Sequence, residues 1–136
     1  MGTEDGGKGT GKTPPLLVAY RIQERAANVG FDWPDARGPM AKVKEELAEV
    51  EGEVGRGKRE AIEEEIGDLL FAVVNLARKL GIDPDAALAR ANQKFKTRFE
   101  EVEKLAQARG LEMGRASLQE LDALWDEVKD RNDRAP

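Results

Sequence analysis

The chain has 136 residues, 36% of them charged, and a formal net charge of -5, which predicts one domain and argues against a sequence-independent grip on nucleic acid. The absence of cysteine and histidine excludes disulfides, thiolate nucleophiles, Ser-His-Asp triads and the ligands that zinc normally takes. No apolar run approaches the length of a membrane span and the first residues lack the apolar core of a signal peptide, so we expect no membrane contact and a cytoplasmic location.

The first fifteen residues are rich in glycine, end in two prolines and show no hydrophobic pattern, which predicts a flexible leader over 1–15. Within it, residues 6–13 (GGKGTGKT) match the phosphate-binding P-loop pattern letter for letter. That motif functions between a strand and a helix, whereas here polar residues precede it and Pro14 and Pro15 follow it. We therefore expect no working P-loop.

Apolar residues at spacings of three and four predict helices along the rest of the chain. The first helix covers 16–29, the second about 39–54 and the third about 59–80, and each stops at or beside a glycine. The third is the most apolar stretch in the protein.

Two capping signals start the remaining helices. Asp83 caps a fourth helix that runs to about Arg109. Ser117 and Glu120 form a capping box for a fifth helix that runs to about Lys129.

Alternating apolar runs and hairpin turns are missing, so the predicted fold class is all-α. We expect an antiparallel bundle of about five helices in a domain over 16–130, followed by a disordered tail at 131–136. A domain of this size buries only about two-thirds of its unfolded surface, so association with itself would add core. The predicted assembly is a homodimer, with a tetramer as the higher form.

Acidic residues are concentrated in the second and third helices. Residues 45–68 hold ten Asp and Glu against three Lys and Arg. On a helical wheel, Glu46 and Glu49 line one edge of the apolar stripe of the second helix, while Glu65 falls within the buried face of the third and Asp68 on its border. A carboxylate on an apolar face costs free energy unless a cation or several hydrogen bonds compensate it. These positions predict that something positive lies beside them.

The short turn between the two helices lets these acids meet. Helices joined this way pack antiparallel, so Glu46 and Glu49 can face Glu65 and Asp68, and the i, i+3 spacing puts each pair on one side of its helix. Four carboxylates without imidazole or thiolate suit a hard ion, Mg²⁺ or alternatively Mn²⁺, which keeps waters and binds substrate phosphates. The alternative is a solvated helix face, which is what most Glu-rich runs are; it does not explain the position of Glu65.

The motifs of this sequence resemble those of the MazG nucleotide pyrophosphohydrolases. EELAE (45–49), followed after about fifteen residues by EIGD (65–68), looks like the EExxE and ExxD signature of that family. Four further stretches look like the same family in the same order: RIQERAANVGFDW (21–33), GDLLFAVVNLARKLGID (67–83), ANQKFKTRFEEVE (91–103) and LDALWDEVK (121–129).

The resemblance implies hydrolysis of a nucleoside triphosphate between the α and β phosphates, giving a nucleoside monophosphate and pyrophosphate. It implies that Glu46, Glu49, Glu65 and Asp68 hold Mg²⁺, and that Glu45 belongs to the catalytic motif. Water would attack the α-phosphorus in line, and because the chain lacks histidine, a carboxylate would position or deprotonate that water.

The resemblance also implies four substrate-binding residues. Lys94 and Arg98, one helical turn apart, would clamp phosphates, and Trp125 and Lys129 would approach the nucleotide, with Trp125 stacking on the base. The alternative is that the cations are ordinary exposed residues and that Trp125 only packs the last helix. Trp33 is either an anchor for its loop or part of a base pocket, and Phe95 and Phe99 are expected in the core.

One departure from the family pattern concerns phosphate binding: members can carry a lysine where this chain has Ala61. Lys58 or Arg59 would have to substitute. Two other functions stay open from the residues: a related all-α hydrolase acting on dUTP or phosphoribosyl-ATP, and a non-catalytic helical interaction module.

Overall fold

The computed structural model describes residues 14–134, which form five α-helices and no strand. The helices are α1 (Pro15–Asn28), α2 (Arg37–Arg56), α3 (Arg59–Lys79), α4 (Pro84–Ala108) and α5 (Leu118–Arg134). The all-α prediction is confirmed. The P-loop-like motif and most of the predicted leader lie at 1–13, outside the described residues.

The chain divides into two compact units, with the boundary between Ala87 and Leu88, inside α4. The sequence pattern did not predict this division. In the first unit, α3 packs against both α1 and α2. Only two residues separate α2 from α3, and Gly57 ends α2 in the left-handed conformation at φ 76°, which costs a glycine little. The two helices therefore form the predicted antiparallel hairpin.

The loop between α1 and α2 is fastened to the end of α3 by charge. The carboxylate of Asp32 accepts hydrogen bonds from Arg78 and from Lys79 Nζ, the latter at 3.2 Å, and Lys79 Nζ also donates to the carbonyl of Trp33 at 2.7 Å. The hydrogen bond from Arg78, followed by those from Lys79 and the Trp33 amide, holds the pKa of Asp32 well below its ordinary value. This network fixes the loop on the first unit.

Trp33 lies flat against the first turn of α2, where Gly38 leaves room for it. A Cβ built at Gly38 would stand 2.6 Å from Cδ2 and 2.9 Å from Cζ3 of the indole, closer than van der Waals contact allows. This contact supports the role of Trp33 as a loop anchor, and its role in a base pocket stays a prediction.

The second unit has its own core, made of buried residues from α4 and α5: Val102, Ala106, Leu124 and Val128. Arg109 joins the two segments at the surface, donating from Nη1 to Glu127 at 2.9 Å and from Nη2 at 2.7 Å. The predicted capping box is present: Ser117 Oγ accepts from the Glu120 amide at 3.1 Å, and Glu120 accepts from the Ser117 amide at 2.9 Å.

The structure differs from the sequence prediction at one end and on one face. Helix α5 continues to Arg134, so residues 131–134 of the predicted disordered tail are helical. On the predicted apolar stripes, Ala72 is buried but Leu47, Val54 and Val73 are exposed in the single chain. Among the described residues, no helix is long and apolar enough to cross a membrane.

Replacing Ser117 with Ala should lower the free energy of unfolding of the second unit by about 1 kcal/mol, since the cap on the Glu120 amide is lost. Urea denaturation followed by circular dichroism measures the change. Ser117→Asp is the matched control, because aspartate caps as well as serine and should leave the midpoint unchanged. An unchanged midpoint in Ser117→Ala would show that the cap contributes nothing.

Candidate metal centre on the α2–α3 hairpin

Three predicted ligands converge between α2 and α3. Glu46 on α2, and Glu65 and Asp68 on α3, each offer a carboxylate oxygen, and these oxygens all lie within 4.8 Å of one another. The antiparallel hairpin brings α2 to α3, and the three-residue spacing on α3 puts Glu65 and Asp68 on one side of that helix. We call these three residues the carboxylate cluster.

Glu46 is the most buried member of the cluster, with 8% of its surface exposed. Lys42, one turn earlier on α2, places Nζ 3.0 Å from Glu46 Oε1 and 2.6 Å from Glu45 Oε2. Hydrogen bonds to Glu45 and then Glu46 raise the pKa of Lys42 above its ordinary value. The ammonium therefore stays charged and partly compensates the buried carboxylate.

Lys42 did not emerge from the sequence as a residue of this site. The signal was nevertheless there, because Lys42 precedes Glu45 and Glu46 by three and four residues, the spacings at which helical side chains meet. Glu45, predicted as part of the catalytic motif, is exposed and accepts the hydrogen bond from Lys42.

Burial and the neighbouring carboxylates change the pKa of Glu65. Its pKa is raised above the ordinary value, first by desolvation and then by the negative charges of Asp68, Glu49 and Glu46. Proximity of like charges and loss of water both disfavour the ionised form. A cation beside the three carboxylates would reduce both costs.

Glu49, the fourth predicted ligand, is exposed and does not belong to the group of three. Its charge still contributes to the raised pKa of Glu65, so it lies near the cluster. Its role as a ligand stays a prediction.

The donor set fits a hard divalent cation. All three ligand atoms are carboxylate oxygens, and the whole chain contains neither histidine nor cysteine. Oxygen donors are what Mg²⁺, Mn²⁺ and Ca²⁺ prefer, and three carboxylates leave coordination positions for water or phosphate. The arrangement can hold a metal ion and expose it to a phosphorylated ligand.

In the second unit, Lys94 and Arg98 line one concave surface of about 410 Å³ on α4, together with Arg90, Gln93, Thr97 and Asn132. Arg98 is half-buried, and its Nε has no hydrogen-bond partner among the described residues. Three cationic side chains and an unpaired buried donor in one concavity suit an anion.

Trp125 is half-buried and packs against the core of the second unit, and its ring lies 5.2 Å from that of Phe95. Lys129 is exposed one turn further along α5. The expectation that Phe95 and Phe99 lie in the core is wrong for the single chain, since both are exposed and stack on each other with centroids 6.0 Å apart. The aromatic face they form with Trp125 is open to solvent.

Comparison with known proteins places these motifs in a family. Residues 37–103 match the MazG nucleotide pyrophosphohydrolase domain. A nucleoside triphosphate pyrophosphohydrolase of Escherichia coli (strain K12) is 48% identical over 118 residues, which cover 85% of this chain and 45% of that protein. A nucleoside triphosphate pyrophosphohydrolase/pyrophosphatase MazG of Thermotoga maritima is 45% identical over 116 residues, covering 85% and 44%. The chain thus spans less than half the length of these two relatives.

Replacing Glu65 with Gln should raise the melting temperature of the metal-free protein at pH 7. Folding raises the pKa of Glu65 above its ordinary 4.5, so the folded protein loses stability as the pH rises from 4.5 through the folded-state pKa. Glutamine does not ionise, so the variant avoids that loss. The same variant should lose most of the rise in melting temperature that Mg²⁺ gives the parent protein.

Differential scanning fluorimetry with and without Mg²⁺ measures both effects. Glu63→Gln is the matched control, because Glu63 is an exposed residue of the same helix outside the cluster. A Glu65→Gln protein that melts lower than the parent and still responds fully to Mg²⁺ would contradict the assignment.

Proposed function

This chain carries a domain of the MazG nucleotide pyrophosphohydrolase family, and from that premise we propose that it hydrolyses nucleoside triphosphates between the α and β phosphates. The products are a nucleoside monophosphate and pyrophosphate. The observation that carries the proposal is the carboxylate cluster, whose three oxygens lie within 4.8 Å of one another on the matched domain. The relatives named above supply the class of reaction, because both are nucleoside triphosphate pyrophosphohydrolases.

In this proposal Glu46, Glu65 and Asp68 hold Mg²⁺, with Mn²⁺ as the alternative, and Glu49 completes the set from one turn along α2. When bound, the ion would neutralise phosphate oxygens and make water a better nucleophile. The raised pKa of Glu65 supports the choice, since a carboxylate that repels its neighbours gains most from a cation.

The reaction exchanges one bond at the α-phosphorus. The oxygen of water forms a new bond to that atom while the bond to the oxygen bridging the α and β phosphates breaks, and pyrophosphate leaves with that oxygen. A carboxylate takes the proton of the attacking water, because no histidine is present to do so. Glu45 is an exposed carboxylate of the EELAE motif that this proposal does not use as a metal ligand.

Substrate binding is proposed for four residues of the second unit. Lys94 and Arg98 share a concave surface that suits phosphate oxygens, and the unpaired Nε of Arg98 supplies a donor there. Trp125 offers an aromatic face for a base, and Lys129 a further cation. The non-catalytic module is disfavoured because it leaves the convergence of three carboxylates unexplained.

We also propose that the chain associates with itself as a homodimer. Four large apolar side chains of the hairpin are exposed in the single chain: Leu47, Val54, Leu70 and Val73. A second copy of the chain would remove them from water, which supports self-association. A cytoplasmic location stays a prediction from the sequence.

Hydrolysis in ¹⁸O-labelled water tests the bond that is cleaved. With Mg²⁺ and a panel of nucleoside triphosphates, we expect pyrophosphate as the product and the label in the nucleoside monophosphate, because water attacks the α-phosphorus. Glu65→Gln should lower kcat by roughly 100-fold or more, as removal of one group that stabilises the transition state commonly does. Mass spectrometry of both products measures the position of the label.

The Glu63→Gln protein is again the control and should keep the activity of the parent. Release of orthophosphate with a nucleoside diphosphate, or label in the pyrophosphate, would contradict attack at the α-phosphorus. Release of no product from any triphosphate would contradict the hydrolase proposal itself.

A further inference from the structure

Lys42 places a positive charge of the chain itself against the carboxylate cluster. Its Nζ lies 3.0 Å from Oε1 of Glu46, the most buried member of the cluster, and 2.6 Å from Oε2 of Glu45. A lysine ammonium is charged at pH 7, because the ordinary pKa of lysine is about 10.4. Glu46 therefore has a cationic neighbour that is not a metal ion.

The two partners of this ion pair differ in exposure. The side chain of Glu46 is 11% exposed, whereas that of Lys42 is 45% exposed. A buried carboxylate that loses its cation costs far more free energy than an exposed ammonium that loses its anion, since water solvates the ammonium. Glu46 thus needs a cation beside it, while Lys42 can turn into solvent on its flexible stem.

A divalent ion at the cluster and the ammonium of Lys42 would repel each other. Mg²⁺ lies about 2.1 Å from its carboxylate oxygens, so an ion on Oε1 of Glu46 would stand within roughly 5 Å of Nζ. Like charges at that separation repel, and more strongly beside a half-buried site than in bulk water. The ion must either displace the ammonium or bind against its repulsion, and both lower its affinity.

An alternative role for Lys42 would be to orient Glu46 for the ion, and it predicts the opposite effect on affinity. Packing already restrains Glu46, of which only 8% of the surface is exposed. A half-exposed lysine with a flexible stem adds little to that restraint. The contacts therefore favour competition over orientation.

We propose that Lys42 is an internal counter-ion of the carboxylate cluster, which competes with the divalent cation for Glu46. It stabilises the hairpin when the cluster holds no ion, and it keeps the affinity for the ion below what the carboxylates alone would give. The inference rests on the proposed function, which puts Mg²⁺ or Mn²⁺ at the cluster. It adds the residue that sets how tightly the ion is held.

Lys42→Met tests the proposal, because methionine keeps much of the apolar stem and removes the charge. We expect two changes of opposite benefit at pH 7. The dissociation constant for Mn²⁺ should fall by about tenfold or more, since the repulsion is gone. The melting temperature in EDTA should also fall, since Glu46 has lost its counter-ion. Isothermal titration calorimetry measures the first change and differential scanning calorimetry the second.

Three further variants separate the charge of Lys42 from other effects. Lys42→Arg keeps the charge and should bind Mn²⁺ as the parent protein does. Lys44→Met removes one charge from an exposed position of the same helix and should change the affinity little. Lys42→Gln is a second neutral variant with the same expected gain, so the test does not depend on the folding of Lys42→Met.

Two results would overturn the counter-ion role while leaving the metal site intact. One is Mn²⁺ binding that is unchanged or weaker in both neutral variants at position 42, as a role in orienting Glu46 would give. The other is an equal gain in Lys44→Met, which would show an effect of net charge alone. Absence of Mn²⁺ binding in the parent protein and in every variant would refute the metal assignment of the proposed function, and the counter-ion role would fall with it.

Discussion

The site depends on one constraint, the repulsion between its carboxylates. The packing of α2 against α3 forces these carboxylates together. Two like charges about 4 Å apart repel by roughly 1 kcal/mol in water and roughly 4 kcal/mol near a protein surface, against a net stability of about 5–15 kcal/mol for a domain. The short turn at Gly57 joins α2 to α3, and the packing of the two helices brings Glu46 to Glu65. Lys42 offsets part of the charge, while desolvation and the neighbouring carboxylates raise the pKa of Glu65. Such a cost is typical of a metal site.

Helix α3 carries different side chains toward its two neighbours. Its first half carries Glu65 and Asp68 toward α2, and its second half carries Phe71 and Asn75 toward α1 and the loop. Charged and neutral ligand groups are thereby separated along one rigid element, which holds reacting atoms more accurately than a loop does.

Much of the fold and part of the site could be predicted because they depend on local rules. Helix spacing, the Asp83 cap and the Ser117–Glu120 capping box are signals within one turn, and all of them are present. The cluster was predictable because the hairpin turn is short. The attachment of α1 to α3 was not predictable. The hydrogen bond from Gln23 to the Phe71 carbonyl joins residues 48 positions apart, and a glutamine in an amphipathic helix does not indicate its partner. The exposed Leu47 and Val54 were missed for a related reason: a wheel shows which face is apolar, not what covers it.

Anomalous X-ray scattering from crystals grown with Mn²⁺ locates the metal ion itself. We expect an anomalous peak bounded by Glu46, Glu65 and Asp68, at roughly 2.0–2.2 Å from their oxygens, as hard-ion coordination requires. Lys42 should stay outside the coordination shell, since a protonated ammonium has no lone pair to offer. An anomalous map with no peak at the three carboxylates, or with peaks only at other acidic residues of α2 and α3, would contradict a metal site between these helices.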